Sequence, residues 1–346
     1  MKPFETLSII ILIIFSLSTH AVVLAQPPEI SSGLDYLKSI QKADGSWGGT
    51  ETSLNGILPT TAHALTALSE LEASVSPNQT NAIDFLQAQS IEVTQLLAER
   101  VIALAGAGVD VSGDVTALLG LQDTGSPLLA ASPFEALFSG GGFGAAEGHS
   151  SNALDTSYAL LALKAAGITD LDVPTRAVQF LMSQQNPDGG WGWLDQRESR
   201  LFLTALTVQA LGALRSEFDV NHVLEPAVTF LRSKQNPDGG FGEQGSTAYE
   251  TAMTLLAVFA SGISATQAEI DGLDYLITTQ QPNGSWADDA YSTALAVQAL
   301  SKQAPNLIVV SINFSNLYPP EGEVVTVTAT VQNLGVVDAE NVVVHF

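Results

Sequence analysis

Gln185-Asn186-Pro187-Asp188-Gly189-Gly190-Trp191-Gly192 returns as Gln235-Asn236-Pro237-Asp238-Gly239-Gly240-Phe241-Gly242. Looser copies are Gln41-Lys42-Ala43-Asp44-Gly45-Ser46-Trp47-Gly48 and Gln280-Gln281-Pro282-Asn283-Gly284-Ser285-Trp286-Ala287. A worn copy starts at Gln122 and resumes at Gly140-Gly141-Gly142-Phe143-Gly144 after an insertion (residues 123–150), and another is reduced to Ala88-Gln89. Self-similarity at a roughly constant spacing marks a repeat architecture. The Pro-Asp-Gly and Asn-Gly clusters end a helix and turn the chain.

A helical stretch precedes each copy, as in Gly33-Leu34-Asp35-Tyr36-Leu37 and Ala227-Val228-Thr229-Phe230-Leu231. A second helix follows, with the signature Thr61-Ala62-His63-Ala64-Leu65-Thr66-Ala67-Leu68. The signature recurs from Thr156, Thr204, Thr251 and Thr293, and a Thr-less version starts at Leu97. Units of about 46 residues therefore fill residues 30–303. Small Ala and Thr at i, i+3 and i+6 let neighbouring helices approach closely. Six helix pairs without intervening strands predict an all-α architecture that either stacks openly or closes on itself.

Gln-x-x-x-Gly-x-Trp resembles the QW motif of squalene–hopene cyclases, and the helix pairs resemble those of terpenoid cyclases and prenyltransferase β subunits. The resemblance implies an (α/α)6 toroid over residues 26–303, six inner helices ringed by six outer ones. It also implies that the Gln amide and the aromatic ring tie the end of one outer helix to its neighbour. An amide can satisfy orphan backbone groups at a helix end, and an indole covers them with apolar area. Trp47, Trp191 and Trp286 are thus expected to be fasteners.

The family's chemistry does not come with its fold. Cyclases of this type protonate an alkene with the middle Asp of Asp-x-Asp-Asp, which requires a carboxylic acid made unusually strong by neighbouring donors. In the nearest match, Asn152-Ala153-Leu154-Asp155-Thr156, Leu154 stands at that place; Asp288-Asp289 follows Trp286, but Ser285 stands where an upstream Asp is needed. Protein prenyltransferases use a zinc held partly by Cys, and the chain has 0 Cys. Gly240-Phe241-Gly242-Glu243-Gln244 resembles the thioester motif of complement-type proteins with Phe in place of the sulfur. The absence of Cys also excludes disulfides, thiol nucleophiles and Fe–S clusters. Asp188 and Asp238 lie in turns that lack the ligand count of a calcium loop. No metal and no cofactor is expected.

Weak catalytic candidates are Asp155, Tyr158, His63 and Glu250. Asp155, Glu250 and Ser292 each precede the signature Thr, while His63, Tyr158 and Glu99 lie two residues beyond its position. A pocket mouth is expected where the inner helices start, formed by Tyr249, Asp288, Asp289, Tyr291 and Trp193. For Asp155, Glu250 and Asp289 the alternative is helix capping, because a helix N-terminus welcomes carboxylates. The insertion serves either as a lid or as a surface loop.

Composition narrows the partners. With 36 acidic against 12 basic residues the formal charge is −24, and nucleic acid is excluded for want of a basic surface. Charged residues make up 14%, against roughly 25% in ordinary domains, while 46% hydrophobic residues suffice for a core. Lys2, the apolar run Leu7–Leu17 and Val23-Leu24-Ala25 have the form of a secretory signal, residues 1–25, cleaved after Ala25. No membrane span is expected after cleavage. From residue 304 the period drops to two, as in Glu323-Val324-Val325-Thr326-Val327-Thr328-Ala329-Thr330-Val331, and strands are predicted there and at Asn306–Val310 and Asn341–Phe346. Residues 304–346 resemble the start of a CARDB-type Ig-like module, an incomplete β-sandwich.

Together these observations predict an exported, non-catalytic toroid for binding or display, secreted or held at the cell surface through regions beyond residue 346. Its partner is expected to be a small apolar or isoprenoid-like ligand in the lumen, or an extracellular or cell-surface macromolecule. A divergent terpene cyclase using inner-helix carboxylates is the rival reading, and a binding barrel resembling cobalamin carriers a further one.

Overall fold

The computed structural model describes residues 27–48, 53–72, 74–123, 140–193, 198–302, 307–314, 316 and 327–333. The expected signal segment and the middle of the insertion lie outside the described residues, as does the chain from residue 334 onward.

Twelve helices alternate between two rings among the described residues. The outer ring consists of α1 (Pro28–Ile40), α3 (Pro77–Gln87), α5 (Ser112–Leu119), α7 (Asp172–Ser183), α9 (Asn221–Arg232) and α11 (Gln267–Thr279). The inner ring consists of α2 (Leu54–Leu71), α4 (Thr94–Gly106), α6 (Ala153–Ala165), α8 (Leu201–Ala213), α10 (Ala248–Ser261) and α12 (Ala290–Ser301). Each inner helix packs on the next, and α12 packs back on α2, so the barrel closes into a toroid. Composition decides which ring a helix joins. In α9 an apolar stripe of Val223, Leu224, Ala227, Val228, Phe230 and Leu231 is buried under a polar outer face, whereas α8 is apolar nearly all round and mostly buried. No described helix is long and apolar enough to cross a membrane.

The QW turns hold adjacent outer helices together. Gln185 Nε2 donates to Gly189 O (2.9 Å) in its own turn and to Val223 O (2.8 Å) at the start of α9. Gln41 reaches Asn78 O (2.8 Å), Gln122 Val173 O (3.1 Å) and Gln235 Ala268 O (2.7 Å). Gln280 reaches Glu29 O (2.8 Å), which closes the ring onto α1. The indole N–H groups of Trp47, Trp191 and Trp286 donate to Leu37 O, Leu181 O and Leu276 O at 2.7–2.8 Å, and all three rings are fully buried. The turn glycine of this motif is required: Gly189 has φ +90°, and a Cβ there would run into the carbonyl of Pro226 on α9.

The signature Thr has a role that helix spacing did not reveal. Its Oγ1 accepts the backbone N–H of the motif's aromatic residue: Trp47 to Thr61 (3.0 Å), Phe143 to Thr156 (2.9 Å), Trp191 to Thr204 (3.0 Å), Phe241 to Thr251 (2.9 Å) and Trp286 to Thr293 (3.0 Å). The insertion leaves this joint intact, because Gln122 still bonds Gly141 O (2.7 Å).

The α3–α5 joint is built differently. Gln89 turns back to Phe85 O, and Arg100 on α4 takes over: Nη1 donates to Gln89 O (2.6 Å) and Nη2 pairs with Asp114 of α5 (2.6 Å).

Beyond the toroid, β1 (Leu307–Phe314) pairs antiparallel with β2 (Val327–Asn333), with an irregularity between Val309 and Ser311. Both overlap strands predicted from the two-residue period; the turn and strand expected after Asn333 lie outside the described residues.

Candidate functional site

The Thr-to-turn bonds put the inner helices in register, so residues equally far beyond the signature position form layers around the lumen. A cavity of about 270 Å³ is lined in this way. Two residues on stand His63, Glu99, Tyr158, Leu206 and Met253; five on stand Thr66, Ile102, Leu161, Gln209 and Gln298. At eight or nine on, Glu70, Lys164 and Ala165 end the lining. Seven residues of helix correspond to a depth of about 10 Å. Glu70 and Lys164 are 43% and 41% exposed, so the cavity opens at the C-terminal ends of the inner helices.

Aromatic rings two residues before the signature stand together at the other end. Tyr291 stacks its edge on His63 (centroids 4.7 Å apart) and tilts against Tyr249 (5.6 Å), which stacks on Phe202 (6.1 Å). Tyr249 and Tyr291, expected at a pocket mouth, stand together at this end of the lumen, and Tyr291 lines the cavity.

Glu99 is the one carboxyl in the inner layer among the described residues lining the cavity. It is 2% exposed; Oε1 accepts a bond from Gln95 Nε2 (3.3 Å), and Oε2 is buried with no hydrogen-bond partner. Burial pushes its carboxyl up to about 7, partly offset by Gln95 and by the nearby Tyr158 hydroxyl. Burial also lowers His63 to about 4, leaving it neutral. It raises Tyr158 and Tyr291 well above the ordinary phenol range, and the charge of Glu99 adds to both shifts. The lumen thus holds a neutral imidazole, firmly protonated phenols and one weak acid.

The other sequence candidates are brought elsewhere. Asp155 is buried, but its backbone N–H bonds the N-cap Asn152 Oδ1 (2.9 Å), and Asn152 Nδ2 donates to Asp155 Oδ2 (2.6 Å). Glu250 bonds the N-cap Thr247 in the same manner (3.0 Å). Asp289 is itself an N-cap, accepting Ser292 N–H (2.7 Å), and Asp288 accepts Asn283 Nδ2 (2.8 Å) inside its turn. None of these four lines the cavity, nor does Trp193, which is 38% exposed in a loop. The capping alternative accounts for Asp155, Glu250 and Asp289. His63 and Tyr158 remain in the site, joined by Glu99. Gln95 belongs to the site as well, and its signal in the sequence is its place four residues before Glu99, on the same helix face.

Comparison with known proteins agrees with the architecture. Residues 199–298 match the squalene-hopene cyclase C-terminal domain and residues 5–98 the prenyltransferase alpha-alpha toroid domain. No curated protein matches the chain in sequence. The type II terpene cyclase MstE from Scytonema superposes with a TM-score of 0.60 at 17% identity, over 80% of this chain and 97% of that one. A variant of it solved with geranylgeranyl dihydroxybenzoate gives the same score and identity, over 80% and 96%. An inactive α-1,6-mannanase from Salegentibacter, in complex with α-1,6-mannotriose, superposes at 0.59 with 10% identity, over 79% and 97%. The chain has the toroid fold of terpenoid cyclases and prenyltransferases. A mannanase on the same fold shows that the architecture does not set the chemistry.

Proposed function

We propose that this protein is an exported, non-catalytic binding toroid whose lumen takes a compact, mainly apolar ligand, with the β segment beginning a display module. The observation that carries this reading is the state of Glu99. Protonating an unactivated alkene calls for a carboxylic acid strengthened by donors, whereas in Glu99 burial outweighs the help of Gln95 and Tyr158 and leaves a weak acid. Asp155, the carboxylate nearest the cyclase motif in sequence, is engaged in capping and lies outside the cavity lining. The lining is largely apolar, as small-molecule sites are. The MstE complex with geranylgeranyl dihydroxybenzoate supports an isoprenoid-like body as one ligand type for such a lumen. The leader-like residues 1–25 support export.

Native mass spectrometry of the protein purified from its own host is expected to return a bound small molecule released by organic solvent. Turnover of squalene or a polyprenyl diphosphate, stopped by Glu99→Gln or Asp155→Asn, would overturn the non-catalytic reading.

A further inference from the structure

The lumen pairs a buried, half-satisfied carboxyl group with a wall of aromatic rings, and that combination is selective. A neutral apolar ligand would leave Glu99 Oε2 without a partner in a dry site, which is unfavourable. An organic ammonium ion would compensate the carboxylate by its charge, and the faces of Tyr158 and Tyr291 attract a cation held against them. From these juxtaposed groups we infer that the lumen ligand carries an organic ammonium group, seated against Glu99 between Tyr158, His63 and Tyr291. The inference rests on the lumen-binding reading above and adds to it the chemical class of the ligand.

The surroundings of Glu99 favour a cation from each side. From α6 it is faced by Tyr158, from α2 by His63, from α12 by Tyr291 and from α10 by Tyr249. All are uncharged near neutral pH, and α8 contributes Leu206 and Gln209. Asp155, its carboxyl raised by burial, accepts from the Gln95 backbone and lies outside the cavity lining. Arg100, the next residue on α4, points away to Asp114. Lys164 at the mouth, about two helical turns above Tyr158, is neutralised by Glu217 (2.8 Å), and Lys302 pairs with Glu70 (3.5 Å). The mouth also lies at the inner-helix C-termini, the negative ends of six helix dipoles, on a chain of formal charge −24. No cation of the protein occupies the place beside Glu99 among the described residues lining the cavity, so an incoming ammonium finds an uncompensated acid.

Because the acid is protonated over much of the neutral range, binding a cation expels its proton. Affinity for a permanent cation is then expected to fall about tenfold for each pH unit below 7 and to level off above it. Calorimetric titration of the full chain with choline and with its uncharged carbon isostere, 3,3-dimethylbutan-1-ol, tests the assignment. Choline is expected to bind at pH 8 at least tenfold more tightly than the isostere. Glu99→Gln is expected to remove that preference and the pH dependence while leaving isostere binding in place. Tyr291→Leu, which keeps the acid, is expected to weaken choline more than the isostere. Isostere binding that equals or exceeds choline binding, or a choline affinity unchanged in Glu99→Gln, overturns the ammonium assignment and leaves the lumen-binding reading standing. A lumen that binds neither probe, and protein that carries no small molecule from its host, overturn both.

Discussion

Five joints of the outer ring are closed by a glutamine amide, and the sixth, between α3 and α5, is closed by the Arg100–Asp114 ion pair. The unit with the odd joint is also the one whose signature lacks Thr, and its helix α4 turns Glu99, the residue before Arg100, to the lumen. Where the repeat is kept, its residues fasten helices; where it has decayed, α4 presents a charge to the wall and an acid to the lumen. Repetition records what every unit needs, so chemistry specific to one unit is found in the departures from it.

Breaking a glutamine-type joint at its aromatic anchor is expected to have the largest effect. Trp191 is fully buried and bonds Leu181 O, so Trp191→Ala should cost about 3–5 kcal/mol in denaturant unfolding. Trp191→Phe should cost about 1–3 kcal/mol, because Phe143 and Phe241 fill the same place in intact joints and what is lost is the indole bond and part of the ring volume. Equal losses from both substitutions would mean that the hydrogen bond, and not the ring, holds the joint.

The ion-pair joint should be weaker and separately breakable. Arg100→Met leaves Gln89 O without its donor and Asp114, 25% exposed, without its partner. A fully buried broken pair costs about 3–5 kcal/mol; partial exposure of Asp114 lowers the expectation to about 2–3 kcal/mol. Hydrogen exchange should quicken in α3 and α5 and stay unchanged in α9. Loss of protection spread evenly round the ring would show that the two kinds of joint are not independent.

The wall of this toroid was legible in the sequence and the lumen was not, for a physical reason. The turns repeat because identical backbone groups need identical partners, and Gln, Gly and Trp at fixed offsets disclose them. Capping was legible as well: Thr247-x-x-Glu250 has the form of a capping box, and Asn152 stands three residues before Asp155. The carboxylates at the helix starts are held by these local bonds and lie outside the cavity lining. Glu99 and His63 share one offset with Tyr158, but their burial depends on which residues the closed ring brings against them. That is a property of the closed toroid and of rings contributed by α8, α10 and α12, far from α4 in the chain.

The smallest expected effect separates lumen from wall by pH. Glu99 has a raised pKa in the folded state, so its stabilising contribution is complete below about 4.5 and is lost as pH rises to about 7. His63 has a depressed one, so its contribution is present above about 6.5 and lost as pH falls to about 4. Between pH 4.5 and 6.5 the two slopes oppose each other, each near 1.4 kcal/mol per unit at most. Their sum in the wild type is therefore close to flat. In Glu99→Gln the His63 slope stands alone, and stability relative to wild type should fall by about 2 kcal/mol on acidification from pH 6.5 to 4.5. In His63→Gln it should rise by a similar amount over the same interval. Carboxylates of the wall titrate equally in all three proteins and cancel in the differences. Urea midpoints at the two pH values suffice as the measurement. Parallel profiles for wild type and both variants would mean that neither group titrates within the lumen, and the contrast between a structural wall and a chemically distinct interior would fail where it makes its sharpest claim.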